Sequence, residues 1–140
     1  MWGACKRLEE EYDLRTRETR LARLLCGASA PTHAPPLLKQ LHWLPVSSRI
    51  QFKLCTLIFD INHGTAPQYL SELVRHSDDT RLRSGVRGNF IIPRVRLHVT
   101  DKAFFVAGPL AWNALPSDII LTSSQTSFRK KLKTHLFRLT

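Results

Sequence analysis

Ser48-Arg49-Ile50-Gln51-Phe52-Lys53-Leu54-Cys55-Thr56-Leu57-Ile58-Phe59-Asp60-Ile61-Asn62-His63 is the stretch on which the fold turns. Ile50, Leu54, Leu57, Ile58 and Ile61 recur at i, i+4, i+7, i+8 and i+11, the rhythm of a helix with one broad apolar face. Ser47 or Ser48 can cap its start. Gly64 stops it by taking a positive φ. The expectation is a helix over 48–63, with Ile50, Leu54, Leu57 and Ile61 lining a buried face.

Outward from this helix, Pro67 opens another over 67–75, with Leu70, Leu73 and Val74 inward. Upstream, Leu37, Leu38 and Leu41 give one or two helical turns ending at Trp43-Leu44-Pro45. Residues 28–36, Ala-Ser-Ala-Pro-Thr-His-Ala-Pro-Pro, read as a Pro-rich linker. Residues 6–26 read as a charged helix with a narrow apolar stripe of Leu14, Leu21, Leu24 and Leu25, and Gly27 fits its C-terminal cap.

Residues 76–88 are polar and Arg-rich, a loop. Phe90-Ile91-Ile92 and Val95-Arg96-Leu97-His98-Val99 suggest two short strands, the second placing Arg94, Arg96 and His98 on one face. Asp101 can cap a helix carrying Phe104, Phe105 and Val106, which Gly108-Pro109 is expected to interrupt before Leu110, Trp112 and Leu115. Pro116-Ser117-Asp118 starts another turn. Ser123 or Ser124 caps a final helix over 125–138, striped by Phe128, Leu132 and Leu136. The fold class expected is mostly α: a small helical domain with a short β-hairpin near 89–99. Its organisation is a charged helix over 1–27, the linker over 28–36 and a domain over 37–140.

A chain of 140 residues suits one domain with its own core. With 43% hydrophobic and 23% charged residues it is neither a disordered tail nor a membrane protein. Apolar runs such as Phe104-Phe105-Val106-Ala107 fall far short of the ~20 residues that span a bilayer. The N-terminal residues hold no apolar leader segment. Cys5, Cys26 and Cys55, odd in number and widely spaced, argue against a disulfide framework and for a reducing compartment, hence an intracellular protein.

The charge is lopsided. Residues 1–79 carry 10 Lys and Arg against nine acids, whereas residues 80–140 carry 11 against two, Asp101 and Asp118, a net of +9. Such a field attracts polyanions, because each phosphate contact releases condensed counterions. Arg81, Arg83, Arg87, Arg94 and Arg96 are the first candidates for phosphate contact, since this half offers almost no carboxylates to pair them. Arg129, Lys130, Lys131 and Lys133 on the final helix come second, because a solvated helix face explains them nearly as well. Trp43 and Trp112 could stack on bases but read first as packing anchors, both largely buried.

Self-contained catalysis finds no support. Asp78-Asp79 sits in a polar stretch suited to a solvated turn, without the partner carboxylate a two-metal site needs. The histidines and cysteines show no zinc spacing. Gly85-Val86-Arg87-Gly88 lacks the Lys-Ser/Thr of a phosphate loop, and no GxSxG elbow marks a nucleophile. No cofactor, metal or small-molecule substrate is expected, and no membrane partner. His42 and His135, beside aromatics, and Asn113, which can cap or bridge backbone groups, read as structural.

Several motifs stand out together. They are Leu41-His42-Trp43-Leu44-Pro45-Val46, Arg49-Ile50, Phe52-Lys53, Gly64-Thr65-Ala66-Pro67-Gln68-Tyr69-Leu70, Leu82-Arg83-Ser84, Ala103-Phe104, Gly108-Pro109, Ala111-Trp112-Asn113, Leu115-Pro116 and Phe128-Arg129-Lys130-Lys131-Leu132-Lys133-Thr134-His135-Leu136-Phe137. In this order they closely resemble the C-terminal end of the reverse transcriptase polyprotein of animal non-LTR retrotransposons, nearest the LINE groups called jockey-like and chicken-repeat-like. Ala22-Arg23-Leu24 and His33-Ala34-Pro35-Pro36 fit the same pattern, so the resemblance covers about residues 20–138. The chain departs where it reads Thr100-Asp101-Lys102-Ala103-Phe104 for the family's frequent Gly-Asp-Arg-Ala-Phe, and residues 1–19 lie outside the match.

In that family this region follows the polymerase, and the catalytic aspartates and the endonuclease lie upstream. The resemblance therefore implies a non-catalytic accessory fragment touching template RNA, target DNA or the upstream reverse transcriptase domain, in the nucleus if it follows the family. No catalytic residue carries over. The alternative is a structural or protein-interaction remnant with no independent activity.

Overall fold

The computed structural model describes residues 2–29, 33–77, 88–94 and 102–139, and within the first helix it describes side chains from Tyr12 onward. The protein is mostly helical. Among the described residues seven α-helices follow in order: α1 (Trp2–Cys26), α2 (Ala34–Gln40), α3 (Val46–Asn62), α4 (Gln68–Ser71), α5 (Phe104–Asn113), α6 (Ser117–Ile120) and α7 (Gln125–Arg138). The chain divides into two compact units, Met1–Ile50 with Thr134–Thr140, and Gln51–Lys133. No described helix is long and apolar enough to cross a membrane.

The first unit is built on α1 and α2. Ala22, Leu37 and Leu38 are buried together, with Cys26, Ala28 and Leu41 packed against them. Both helices end alike. At α1 the Ala28 N–H reaches the Arg23 carbonyl and the Gly27 N–H the Leu24 carbonyl, with Gly27 at φ 61°. At α2 the Trp43 N–H reaches Leu38 and the His42 N–H reaches Lys39, with His42 at φ 54°. This is the paired-bond stop in which one left-handed residue satisfies two otherwise unpaired carbonyls. Glycine takes that conformation freely; a residue with a Cβ does so at a steric cost. The His42 ring meets Phe137 edge-on at 6.4 Å.

The start of α3 corrects one expectation. The helix begins at Val46, so Ser47 and Ser48 lie inside its first turn. Pro45 before it has no side-chain oxygen to offer. The buried Glu18 carboxylate of α1 takes that role: it accepts the Val46 N–H at 3.2 Å and an Arg49 guanidinium N–H at 2.5 Å. A carboxylate at a helix N-terminus satisfies an otherwise unpaired donor and meets the positive end of the helix dipole.

The second unit holds the aromatic core. Phe59 stacks on Phe128 at 4.3 Å, Phe128 lies 5.7 Å from Trp112, and Trp112 meets Phe90 edge-on at 6.2 Å. His63 stacks on Phe59 at 3.9 Å at one end, and His76 tilts over Phe90 at 4.2 Å at the other. The sequence reading of α3 needs adjustment here. Cys55, Ile58, Phe59 and Ile61 are buried, Leu54 and Leu57 are half-buried, and Ile50 is 50% exposed. The buried face is rotated toward Phe59, because the aromatic stack draws that side of the helix inward.

Two further expectations change. Helix α5 runs without a break through Gly108-Pro109. A Cβ at Gly108 would stand 3.0 Å from Ile58 Cδ1, so the missing side chain lets α5 lie close on α3. Both residues of the pair are buried, and this packing offsets the roughly 3 kcal/mol a proline costs inside a helix. Ala103, not Asp101, precedes the helix, and it makes no side-chain cap; Asp101 lies outside the described residues.

No β-hairpin occurs near 89–99 among the described residues. Phe90 instead pairs with His76 in a single antiparallel bridge, with Ser77 N–H to Asn89 O and Ile91 N–H to Arg75 O. On its other side the Phe90 N–H donates to Asn113 Oδ1 at 3.0 Å, and Asn113 Nδ2 donates to Phe90 O at 2.8 Å. Both edges of the segment around Phe90 are thus engaged. Residues 95–100 lie outside the described residues. Asn113 bridges backbone groups as its side-chain chemistry suggested.

Candidate nucleic-acid interface

Helix α7 carries the described part of the basic surface. Phe128, Leu132 and Leu136 recur at i, i+4 and i+8 and are buried almost completely. That stripe fixes the rotation of the helix and leaves Arg129, Lys130, Lys131 and Lys133 exposed. At about 100° per residue, Arg129 and Lys133 share one flank, Lys130 stands on the outer face and Lys131 lies on the opposite flank. Lys131 is held in place: its Nζ donates to the Asp118 carbonyl and to Thr122 Oγ1, each at 3.2 Å. The Gln125 amide anchors the start of α7 by donating to Asp60 Oδ1 at 2.6 Å.

This arrangement can present positive charge on a rigid rod. Lysine ammoniums and the Arg129 guanidinium suit phosphate oxygens, the first as point charges and the second as a planar fork. Lys131 spends part of its donor capacity on the two oxygens it touches, and Arg129, Lys130, Lys131 and Lys133 all stand exposed on this helix.

Of the arginine group, Arg94 is exposed, in a segment without regular secondary structure. Arg81, Arg83, Arg87 and Arg96 lie outside the described residues, as do His98 and the Asp78-Asp79 pair. The two tryptophans separate. Trp112 is fully buried and donates its indole N–H to the Gly88 carbonyl at 3.1 Å, so it is a packing anchor. Trp43 departs from expectation, with 38% of its surface exposed. It follows directly on the left-handed His42, and that sharp turn carries the chain out of α2 before the tryptophan can bury.

The anchors of α7, Lys131 on Asp118 O and Gln125 on Asp60, were invisible in the sequence. They join residues 13 and 65 positions apart and follow no local pattern. Among the described residues no group of three or more His, Cys, Asp or Glu side chains is placed to hold a metal ion. Cys55 is buried, and burial pushes its thiol from 9.0 up to about 12, which keeps it protonated and unreactive at neutral pH. No protein-family model matches the sequence, and no curated protein or solved structure matches it either.

Proposed function

We propose that this chain is a non-catalytic accessory fragment, similar to the region beyond the polymerase of LINE reverse transcriptases, that binds nucleic acid through phosphates with little regard for sequence. The observation that carries the reading is α7: a buried apolar stripe fixes it, and Arg129, Lys130 and Lys133 face solvent in a half of the chain with a net charge of +9. Arg94 is exposed as well. RNA, DNA or an upstream reverse transcriptase domain are the partners the resemblance implies, and the nucleus is the matching location.

The test removes the cations together. Arg129→Ala, Lys130→Ala and Lys133→Ala in one chain should weaken binding to single- and double-stranded oligonucleotides alike. The slope of log affinity against log salt should become shallower by about two to three. All three side chains are exposed, so the variant should keep its helical circular dichroism. Unchanged affinity and slope would remove α7 from the interface. Absence of binding by the unaltered chain at low salt would leave the structural-remnant reading in its place.

A further inference from the structure

We propose that Trp43 is a base-stacking platform, so that this chain holds a single strand by a base as well as by phosphates. This rests on the nucleic-acid binding proposed above and names the form of nucleic acid it favours. Trp43 has 38% of its surface in solvent, whereas Trp112 is fully buried. Among the described residues the Trp43 indole N–H has no hydrogen-bond partner and the ring meets no other aromatic. An indole is a large apolar plate with a polar edge, and an unpaired base stacks on such a plate whatever its identity. The backbone holds it in place. The Trp43 N–H donates to the Leu38 carbonyl at 2.9 Å, and the His42 N–H to the Lys39 carbonyl at 3.0 Å. His42 sits at φ 54°, and its ring meets Phe137 of α7 at 6.4 Å. The last turns of α2 and α7 therefore converge at His42, directly before the indole.

Charge selects the occupant. Residues 33–50 and 134–139 carry Lys39, Arg49 and Arg138 and no acid. Arg49 is committed to the Glu18 carboxylate. Lys39 lies in the last turn of α2 and Arg138 in the last turn of α7. Both are exposed and, among the described residues, neither pairs with a carboxylate. An aromatic plate at the meeting of two helix ends that each carry an unpaired cation suits a base flanked by its phosphates. A duplex keeps its bases stacked on one another and offers none to the indole, so the occupant is a single strand.

Oligo(dT) is the probe, beside a duplex of equal length. In a full chain carrying Trp2→Phe, the emission of Trp43 should be quenched as oligo(dT) binds, while Trp112 stays shielded in the core. Trp43→Leu keeps apolar bulk but removes the plate. It should weaken oligo(dT) binding about fivefold or more and leave duplex affinity and helical circular dichroism unchanged. The slope of log affinity against log salt should stay the same, because stacking releases no counterions. Trp43→Phe restores an aromatic face and should recover most of the lost affinity. Oligo(dT) binding without quenching, no loss in Trp43→Leu, or an equal loss for duplex would each overturn the platform and leave binding through α7 standing. Absence of any binding at low salt would remove both.

Discussion

Helices α1 and α7 read alike in the sequence: each is highly charged, with leucine or phenylalanine at helical spacing. The structure separates them. The apolar row of α7 is buried almost to the last atom, with Phe128 stacked between Phe59 and Trp112. The row of α1 stands half or more in solvent, and the helix is held instead by Glu18 and Ala22. Periodicity therefore says that a stripe exists, not what lies against it. The difference follows from partners: α7 has an aromatic core to complete, whereas α1 meets the short α2, where Leu37 and Leu38 pack with Ala22 and Cys26, and touches the start of α3 through the Glu18 carboxylate.

The largest effect should come from attacking the two rows in parallel. Phe128→Ala removes the centre of the aromatic stack and should cost roughly 3–5 kcal/mol in urea unfolding. Leu24→Ala on α1 should change stability by no more than about 0.5 kcal/mol. Similar losses at both sites would mean that the leucines of α1 carry the fold as the core of α7 does, and would break the contrast.

The next effect concerns what does hold α1. Glu18→Ala leaves the Val46 N–H without its carboxylate and Arg49 without its partner. The guanidinium is more than half exposed, which screens its share, so the expected loss is about 1–2 kcal/mol. Hydrogen exchange should speed up at Val46 and the first turn of α3, while amides of the aromatic core stay protected. Uniform acceleration across the chain would show that Glu18 is not a local anchor.

Much of this was legible from residues alone. The helical character of α3, the α7 stripe, the stops at Gly27 and Gly64 and the bridging habit of Asn113 all follow from local chemistry. At Gly64 (φ 67°) the Thr65 N–H reaches the Asp60 carbonyl, the stop seen also at α1 and α2. What was not legible depended on distant partners. The rotation of α3 toward Phe59 needs Phe128, and the passage of α5 through Pro109 needs Ile58 beneath Gly108. Among the described residues the segment around Phe90 is engaged by Asn113 and residues 75–77 rather than in a hairpin. For the candidate interface, charge and spacing identified the α7 cations, but the anchoring of Lys131 by Asp118 and Thr122 lies in tertiary contacts.

The effect that vanishes at neutral pH is a pH dependence seated in the core rather than on α1. Unfolded, the Cys55 thiol ionises above about 9; folded, burial holds its proton until about 12. Between those values the folded state binds the extra proton, so stability falls as pH rises, and the contribution is intact below pH 9. Urea midpoints measured from pH 8 to 11 should decline less in Cys55→Ala than in the unaltered chain. Cys26, half-buried at the end of α1, should react with a thiol reagent at neutral pH well before Cys55 does. Equal reactivity would mean that the core opens as readily as the end of α1.

The central claim is that the basic half of this chain engages phosphates without reading bases. The direct measurement is the affinity of the unaltered chain for several single-stranded oligonucleotides of equal length and different sequence, titrated across a salt series. The account predicts tight binding at low salt and a steep linear fall of log affinity with log salt. It also predicts slopes that agree among the sequences. Undetectable binding at low salt, or binding that ignores salt and follows sequence, would contradict it.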